Sequence, residues 1–228
     1  MLELRRFGRD LSYADAHAEQ ERLVTARIAG EVSDILVLAE HEPVVTVGRK
    51  ANRAAVAGVD VPVFEIERGG DATYHGPGQL VVYPIQLLPE GRRDLHRYLR
   101  DLEEVVLRVL AEFDVEGRRE PGETGVWVGD KKICSVGVAV RRWVTWHGFA
   151  LNVHTDLSAF ETFRPCGLDP GVMTRLVDLA DIGPGLTLAE VLCVKHFCEV
   201  FGQELPPPPP LAEPQGAGCD PRLPLFPG

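Results

Sequence analysis

Three stretches of the chain have the apolar spacing or the terminal residues of helices. Ser12–Gly30 begins with a Ser and ends with a Gly, the residue types that commonly cap a helix. The segment from Thr187 to Phe201 is predicted as the last helix. Between them, behind a capping Asp94, apolar residues recur at helical spacing at Leu95, Tyr98, Leu102, Val105, Val109 and Leu110.

Short apolar runs predict strands between these helices. The stretch "ILVLAEHEPVVTVGR" predicts two strands around a turn at His41–Pro43, and Val61–Ile66 predicts another. Further strands are predicted in "QLVVYPIQL" and throughout Thr124–Val153. Because the strands come in runs rather than in strict alternation with helices, we predict an α/β or α+β domain. Its sheet is expected to be mixed and largely antiparallel, with flanking helices.

The composition changes this picture only at the C-terminal end. The 228 residues are 45% hydrophobic and 25% charged, which is typical of a globular protein with a sizeable core. Residues 203–228 are instead rich in Pro and Gly and have little to bury. We therefore predict a single domain at residues 1–202, followed by a mostly disordered tail.

Charge and cysteine usage narrow the functional classes. The net charge of −10 argues against a general affinity for nucleic acid or for anionic membranes. No apolar run approaches the roughly 20 residues of a membrane span, and the N-terminus lacks the apolar core of a signal peptide. The five cysteines have no disulfide-framework spacing, so we expect reduced thiols and a cytoplasmic location.

The stretch "RGGDATYHGPGQLVVYP", Arg68–Pro84, places glycines beside an Arg, a Tyr and a His. Glycine allows a backbone to turn tightly or to approach a ligand closely. The stretch lacks the Lys of a phosphate-binding P-loop, and a strand rather than a helix follows it. From these residues alone, a binding loop and a structural turn remain equally open.

The stretch Gly129–Arg142 combines an apolar strand with positive charges. If it is a strand, one face carries Lys132, Cys134, Val136, Val138 and Val140. Lys132 is then either a lysine that extends from the strand end into solvent or a functional ammonium group. Two further alternatives, a docking face for an acidic partner and a solvated hairpin end, are open for Lys131, Lys132, Arg141 and Arg142.

The cysteines differ in their surroundings. Cys166 lies between Pro and Gly in "FRPCGL", and a cysteine in such a turn is placed for exposure and reactivity. Cys134 on its apolar strand, and Cys193 and Cys198 on the last helix, fit the interpretation of inert core residues. His196 lies between the two helical cysteines, but this spacing matches known zinc sites poorly, so we predict a structural role there and no metal site.

Four motifs together resemble the lipoyl(octanoyl) transferase family. They are "RGGDATYHGPGQLVVYP", "GVWVGDKKICSVGV", "HGFALNV" and "FRPCGL", in this order and with the spacing of the family, between about Leu36 and Val177. The earlier "HEPVVTVGR" departs slightly from the commoner "HPPVYTLGR". Enzymes of this family move an octanoyl group from acyl carrier protein to a lysine of a carrier domain. The resemblance implies a fold like that of biotin and lipoate protein ligases, with a deep acyl pocket.

The resemblance also implies roles for individual residues. Cys166 would be the nucleophile that carries the acyl group as a thioester, and Lys132 would lower its pKa and transfer protons. Tyr74 and His75 would shape the mouth of the pocket. The implied substrate site comprises Arg68, Gly69, Gly70, Asp71, Ala72, Thr73, Tyr74, His75, Ser135, Val136, Gly137, Gly148, Phe149 and Ala150.

The family's partners follow from the same resemblance. The donor would be octanoyl-acyl carrier protein, whose phosphopantetheine carries the acyl group, so the enzyme would need no cofactor of its own. The acceptors would be the lipoyl domains of 2-oxoacid dehydrogenase complexes and the glycine cleavage H protein. Exchange between thioesters is nearly thermoneutral and amide formation from a thioester is favourable, so no ATP would be needed.

Two rival functions and one structural detail stay open in the sequence. An ATP-dependent lipoate or biotin ligase would share the fold but would need no cysteine nucleophile. A non-catalytic protein that binds carrier domains would leave Cys166 and Lys132 without a role. If the chain reverses at Arg141–Arg142, Ser135 should lie opposite Gly148, although two arginines suit a tight turn poorly.

Overall fold

A computed structural model describes residues 2–51, 56, 59–162, 169–181 and 183–205. Its long helices are α1 (Tyr13–Ala29), α2 (Leu95–Ala111) and α3 (Leu186–Phe201). The Asp94 carboxylate accepts a hydrogen bond from the Arg97 backbone N–H and so caps α2 as predicted. Ser12 precedes α1, but its side chain makes no capping hydrogen bond, and Gly30 ends α1 with a left-handed φ of 78°. These three predicted helices are confirmed.

The strands of the described residues form a larger and a smaller sheet. The strands are β1 (Glu3–Leu11), β2 (Ile35–His41), β3 (Val44–Val47), β4 (Val63–Glu65), β5 (Ala72–His75), β6 (Gln79–Ile85), β7 (Val126–Val128), β8 (Lys131–Arg141) and β9 (Val144–Asn152). In the larger sheet the order is β1-β2-β6-β9-β8-β7, and in the smaller it is β4-β3-β5. Only the β1–β2 and β3–β4 pairs are parallel among these neighbours, which confirms the prediction of mixed, largely antiparallel sheets.

Helices cover both faces of the larger sheet. On one face, α2 and α3 pack against β6, β8 and β9 through a cluster that includes Leu102, Val106 and Phe197. On the other face, α1 packs through Leu23 and Val24. The predicted α2 stripe is buried except at its first residue, Leu95, which is 39% exposed at the helix start. Burial of these apolar faces is the main favourable contribution to folding.

The β8–β9 hairpin turns one residue later than predicted. Arg142 and Trp143 occupy the turn with φ of 50° and 65°, and Arg141 pairs with Val144. Two positive φ values define a two-residue turn whose twist matches that of the strands. Ser135 therefore lies opposite Ala150, and Gly148 lies opposite Gly137. The predicted pairing of Ser135 with Gly148 is wrong by two residues.

The four predicted positive charges do not form one surface. Lys131 and Arg141 are the first and last residues of β8, and a strand rises about 3.4 Å per residue, so they lie roughly 30 Å apart. Lys132 is buried, and only Lys131, Arg141 and Arg142 are exposed. A single docking face made of all four residues is therefore excluded. No helix in the described part of the chain is long and apolar enough to cross a membrane.

Candidate active site

A cavity of about 270 Å³ lies between three parts of the chain. They are the β8–β9 hairpin, the first turn of α1, and the glycine-rich stretch that leads into β5. Its walls combine apolar groups with polar backbone and side chains. The lining residues are Tyr13, Lys50, Ile66, Arg68, Gly70, Asp71, Thr73, His75, Val81, Tyr83, Gly122, Glu123, Thr124, Lys132, Ser135, Val136, Gly137, His147, Gly148, Phe149 and Ala150.

Two glycines let neighbouring backbones approach closely beside this cavity. A Cβ atom on Gly148 would come within 2.1 Å of the Val82 carbonyl oxygen on β6. A Cβ atom on Gly137, its partner across the hairpin, would come within 3.0 Å of the Gly69 carbonyl oxygen. The first contact is impossible for a real side chain, so β6 and β9 require glycine at position 148.

Arg68 is a buried cation that ties the glycine-rich stretch to the smaller sheet. Its Nη2 donates hydrogen bonds to the carbonyl oxygen of Thr46 at 2.9 Å and to the Thr46 hydroxyl at 3.0 Å. The Gly69 backbone N–H donates to the Val138 carbonyl at 3.0 Å and joins the same stretch to β8. These bonds fix the position of Arg68 in the cavity wall, where only 7% of the residue is exposed.

A buried polar network continues from the cavity wall into the protein. His75 hydrogen-bonds to Gln79 through Nδ1 at 2.8 Å, and His41 hydrogen-bonds to the Tyr83 hydroxyl through Nε2 at 2.6 Å. Burial lowers the pKa of His41 to about 4 and that of His75 to about 3. Both imidazoles are therefore neutral at physiological pH. Burial also raises the pKa of Tyr83, whose hydroxyl stays protonated.

Lys132 lies in the cavity wall and is 1% exposed. The interpretation of Lys132 as a solvent-directed lysine at the strand end is therefore wrong. An irregularity in the β7–β8 pairing places Lys132 opposite Trp127, and its Nζ lies 5.8 Å from the centre of the indole ring. Its neighbour Lys131 is exposed. The alternation along β8 thus directs one lysine inward and the other to solvent.

Gly125 packs against the Lys132 side chain. A Cβ atom at Gly125 would lie 2.7 Å from Lys132 Cε and 2.4 Å from the Cys134 carbonyl oxygen. Gly125 also has a φ of 131°, which residues with a side chain rarely adopt. Its backbone N–H donates to the buried Glu103 carboxylate at 3.0 Å, which holds this turn in place. Glycine at position 125 therefore makes room for the lysine.

Cys166 lies outside the described residues, as does the whole of Phe163–Leu168. The described chain after this gap leads directly to Lys132, because Met173 pairs with Lys132 and the Thr174 N–H donates to the Lys132 carbonyl oxygen at 3.0 Å. Cys166 precedes Met173 by seven residues. At 3.3–3.6 Å per residue, this length allows Cys166 to lie anywhere within about 25 Å of Met173.

The structure gathers most of the predicted substrate-site residues around the cavity. The residues that line it are Arg68, Gly70, Asp71, Thr73, His75, Ser135, Val136, Gly137, Gly148, Phe149 and Ala150. Gly69, Ala72 and Tyr74 lie beside them in the chain but are not among the lining residues. Because side chains alternate along β5, Tyr74 points the other way and packs edge-on against Phe160. His75 is buried within the wall rather than placed at the mouth.

Several residues of this cavity were not predicted from the sequence patterns. Tyr13 stacks on His75, with 6.1 Å between the ring centres, and it comes from the first turn of α1. His147 is the first residue of the motif "HGFALNV" but was not predicted to line the site, and it has a positive φ of 55°. An unusual backbone angle cannot be recognised in a sequence. The proximity of Tyr13 to the glycine-rich stretch depends on how α1 packs, so no local pattern could have identified it.

The remaining described cysteines are core residues, as predicted. Cys134 and Cys193 are fully buried and Cys198 nearly so, all within the cluster beneath α2 and α3. Burial raises the pKa of each thiol, so the reactive thiolate form is disfavoured. His196 instead hydrogen-bonds to Glu112 and Glu199, at 2.9 Å in each case. This pairing supports a structural role for the histidine.

The chain matches a known protein family over most of its length. The model of the lipoyl protein ligase A/B catalytic domain matches residues 12–201. An octanoyltransferase of Rubrobacter xylanophilus is 49% identical over 212 residues, covering 88% of this chain and 94% of that protein. An octanoyltransferase of Geobacter metallireducens is 51% identical over 166 residues, covering 73% of this chain and 78% of that protein.

Solved structures show the same fold at much lower identity. A bi-partite lipoate protein ligase from Thermoplasma acidophilum superimposes with a TM-score of 0.67 at 17% identity, covering 90% of this chain and 85% of that one. A biotin protein ligase from Aquifex aeolicus superimposes with a TM-score of 0.51 at 15% identity, covering 88% and 68%. These similarities confirm the predicted relation in fold to lipoate and biotin ligases.

Proposed function

Because the chain belongs to the lipoyl protein ligase A/B catalytic domain family, we propose that it transfers an octanoyl group from acyl carrier protein to a lysine of lipoyl domains. Relatives that are 49% and 51% identical are octanoyltransferases, so the chain is an acyltransferase that acts in protein lipoylation. The proposed mechanism passes through a thioester on Cys166. It uses no ATP and no cofactor beyond the phosphopantetheine of the donor.

The observation that carries this proposal is the buried Lys132 in the wall of the cavity. A buried ionisable group in the wall of a cavity is a common feature of catalytic sites, where burial tunes its pKa for proton transfer. An ammonium group beside a cysteine favours the thiolate, which is the nucleophilic form. The seven-residue connection from Cys166 to Met173, the partner of Lys132, is long enough for the two side chains to meet.

In the first proposed step, the Cys166 thiolate attacks the carbonyl carbon of the octanoyl thioester. A new carbon–sulfur bond forms, and the bond to the phosphopantetheine sulfur breaks. The departing thiolate takes a proton from the Lys132 ammonium group, which becomes a neutral amine. The octanoyl group is then bound to Cys166 as a thioester, and the donor leaves as a free thiol.

In the second step, the neutral amine of the acceptor lysine attacks the octanoyl-Cys166 carbonyl. The amide bond forms as the bond to the Cys166 sulfur breaks. The proton lost by the attacking nitrogen moves to the Lys132 amine, which restores the thiolate and ammonium pair. Lys132 thus gives up one proton in the first step and accepts one in the second. The full cycle takes no proton from solvent.

The cavity supplies the surroundings that this chemistry requires. Val136, Phe149 and Ala150 provide apolar wall for an acyl chain, and Gly137 and Gly148 keep both hairpin strands free of side chains at the same level.

Intact mass spectrometry after mixing with octanoyl-acyl carrier protein tests this function. We expect one octanoyl adduct, removable by hydroxylamine and absent from Cys166→Ala, and its transfer to an added lipoyl domain. ATP should not affect either step. Consumption of ATP with free octanoate would instead identify a ligase. Binding of the lipoyl domain without any transfer would identify a non-catalytic carrier-binding protein. Failure of the folded protein to form the adduct would exclude the thioester mechanism.

A further inference from the structure

Three possible metal ligands from distant parts of the chain converge beside the cavity. His17 is on α1, Glu67 immediately precedes Arg68, and His147 is on β9. His17 Nε2 lies 3.3 Å from Glu67 Oε2, and His147 Nε2 lies 3.8 Å from the same oxygen. All three donor atoms lie within 4.8 Å of one another.

These separations are close to those of a zinc site. Zinc binds nitrogen and carboxylate oxygen at about 2.0–2.2 Å, and tetrahedral geometry then places the ligand atoms roughly 3.3–3.6 Å apart. The distance from His17 to Glu67 already meets this value, and that from His147 to Glu67 exceeds it slightly. The Glu67 side chain is 38% exposed and can rotate, and the two imidazole nitrogens, which lie within 4.8 Å of each other, need to move by about 1 Å or less to complete a tetrahedral set.

His147 provides an independent indication of a ligand. The residue is 2% exposed, yet neither ring nitrogen has a hydrogen-bond partner within the described residues. Buried polar side chains are nearly always paired, so an unpaired imidazole requires an explanation. Its backbone is held in a left-handed conformation, and its N–H donates to the Gln20 side chain at 3.1 Å. The structure thus fixes His147 firmly while leaving its ring nitrogens available.

The chemistry of the three ligands indicates which cations the site would prefer. Two imidazoles and one carboxylate suit zinc and similar transition metals, whereas magnesium and calcium prefer oxygen ligands. His17 contacts Trp146, with ring centres 5.4 Å apart, which limits the directions its imidazole can take.

We propose that His17, Glu67 and His147 bind a zinc-class divalent cation in the wall of the cavity and that the bound cation inhibits octanoyl transfer. His147 lines the cavity, so a cation held by it would add a positive charge and fix an imidazole ring at the edge of the space proposed for the acyl substrate. The binding does not depend on the proposed function, whereas the inhibition rests on it. His17 and Glu67 do not line the cavity, so they can be changed without altering its walls.

The binding test uses the full chain with Cys166→Ala, which removes the thiol expected to bind zinc. Titration calorimetry with zinc chloride should give one site, and cobalt chloride should give the visible absorption of a four-coordinate complex. His17→Gln and Glu67→Gln should each weaken zinc binding by about tenfold or more. His96→Gln is the matched control, because His96 is exposed on α2. Magnesium chloride should give no heat of binding at this site.

The inhibition test uses wild-type protein in the octanoyl transfer reaction. Zinc should inhibit the wild type and His96→Gln, while His17→Gln should keep its basal rate and need about tenfold more zinc. A zinc affinity equal to that of the parent protein in both His17→Gln and Glu67→Gln would contradict the proposed site. Zinc binding without inhibition would overturn its placement in the acyl path. If no transfer occurs under any condition, the proposed function fails, and the calorimetry still decides the metal site.

Discussion

The proposed mechanism depends strongly on the side chain of Lys132. Lys132→Met keeps much of the volume of the stem and removes the charge. We expect transfer to fall by about 10²–10⁴-fold, the usual contribution of acid–base assistance, while the fold survives because a buried charge is replaced by an apolar group. The pH at which iodoacetamide alkylates Cys166 should rise toward that of a free thiol, measured by peptide mass spectrometry.

Lys132→Arg separates the two roles of this lysine. A guanidinium group remains charged near neutral pH, so it should keep part of the thiolate but should not restore turnover. Cys134 and Cys193 are buried and serve as internal controls for alkylation of the folded protein. An alkylation profile in Lys132→Met equal to that of the wild type would contradict the dyad and require another activator for Cys166.

Gly125 determines whether Lys132 can occupy its position. In Gly125→Ala, the new methyl group overlaps with Lys132 Cε and with the Cys134 carbonyl oxygen, at a backbone φ of 131°. We expect a loss of about 1–3 kcal/mol in the free energy of unfolding and a lower kcat as the lysine moves. Urea denaturation and transfer kinetics measure these effects. Gly91→Ala is the control, since nothing lies within 4 Å of its Cβ position; equal effects in both variants would refute the packing argument.

The buried histidines His41 and His75 make stability depend on pH. Their pKa values in the folded protein are about 4 and about 3, whereas an unfolded histidine has a pKa near 6.5. Below pH 6.5 the unfolded chain therefore binds protons that the folded chain does not. Stability is fully present above pH 6.5 and is lost as the pH falls toward the folded values.

We therefore expect each histidine to remove up to about 2 kcal/mol of stability between pH 7 and pH 5. His41→Gln should be less stable than the wild type at pH 7, because the bond to Tyr83 is changed, but its loss on acidification should be smaller by that amount. Urea denaturation at the two pH values measures both quantities. His96→Gln should keep the wild-type pH dependence, and a His41→Gln curve parallel to that of the wild type would contradict the assignment.

At the scale of elements, local patterns predicted most of the fold. Caps and apolar spacing located α1, α2 and α3, since these features act within a few residues. β1 was not predicted because it is an edge strand of mostly half-exposed or exposed residues, with three arginines and no clear alternation. The cavity was only partly predictable. Its contiguous motifs are visible in the sequence, and His147 begins one of them, whereas Tyr13 joins the cavity only through the packing of α1.

The predicted register of the β8–β9 hairpin failed because the turn lies at Arg142–Trp143 and not at Arg141–Arg142. The backbone angles of this turn can be tested by substitution. Arg142 adopts a φ of 50°, which costs most side chains energy but suits Asn. Arg142→Asn should therefore raise the free energy of unfolding by up to about 1 kcal/mol without changing the Ser135–Ala150 pairing. Arg142→Val is the contrasting variant, since a β-branched residue strongly disfavours this angle. A higher melting temperature for Arg142→Val than for Arg142→Asn would contradict this assignment of the turn.

At the scale of the whole molecule, two exposed cations beside the cavity, Arg49 and Lys50, differ from those predicted to dock a partner. Lys50 lines the cavity and Arg49 precedes it, and their backbone N–H groups donate to the Gly70 and Arg68 carbonyls. Arg141 lies at the far end of β8, where it pairs with Glu21 and covers Trp146. On a chain with a net charge of −10, the exposed Arg49 and Lys50 beside the cavity offer positive charge to the acidic acyl carrier protein proposed as donor.

We therefore expect the double change Arg49→Glu and Lys50→Glu to raise the Michaelis constant for octanoyl-acyl carrier protein by about tenfold at low salt, with a smaller change in kcat. Arg141→Glu with Arg142→Glu alters the net charge equally and should have a much smaller effect. The difference should shrink as ionic strength rises, because salt screens exposed charges beyond about 10 Å at 0.1 M. Michaelis constants from a salt series measure this. Equal increases in both double variants would indicate repulsion by total charge, and a larger increase in the Arg141 and Arg142 variant would place docking at the hairpin turn.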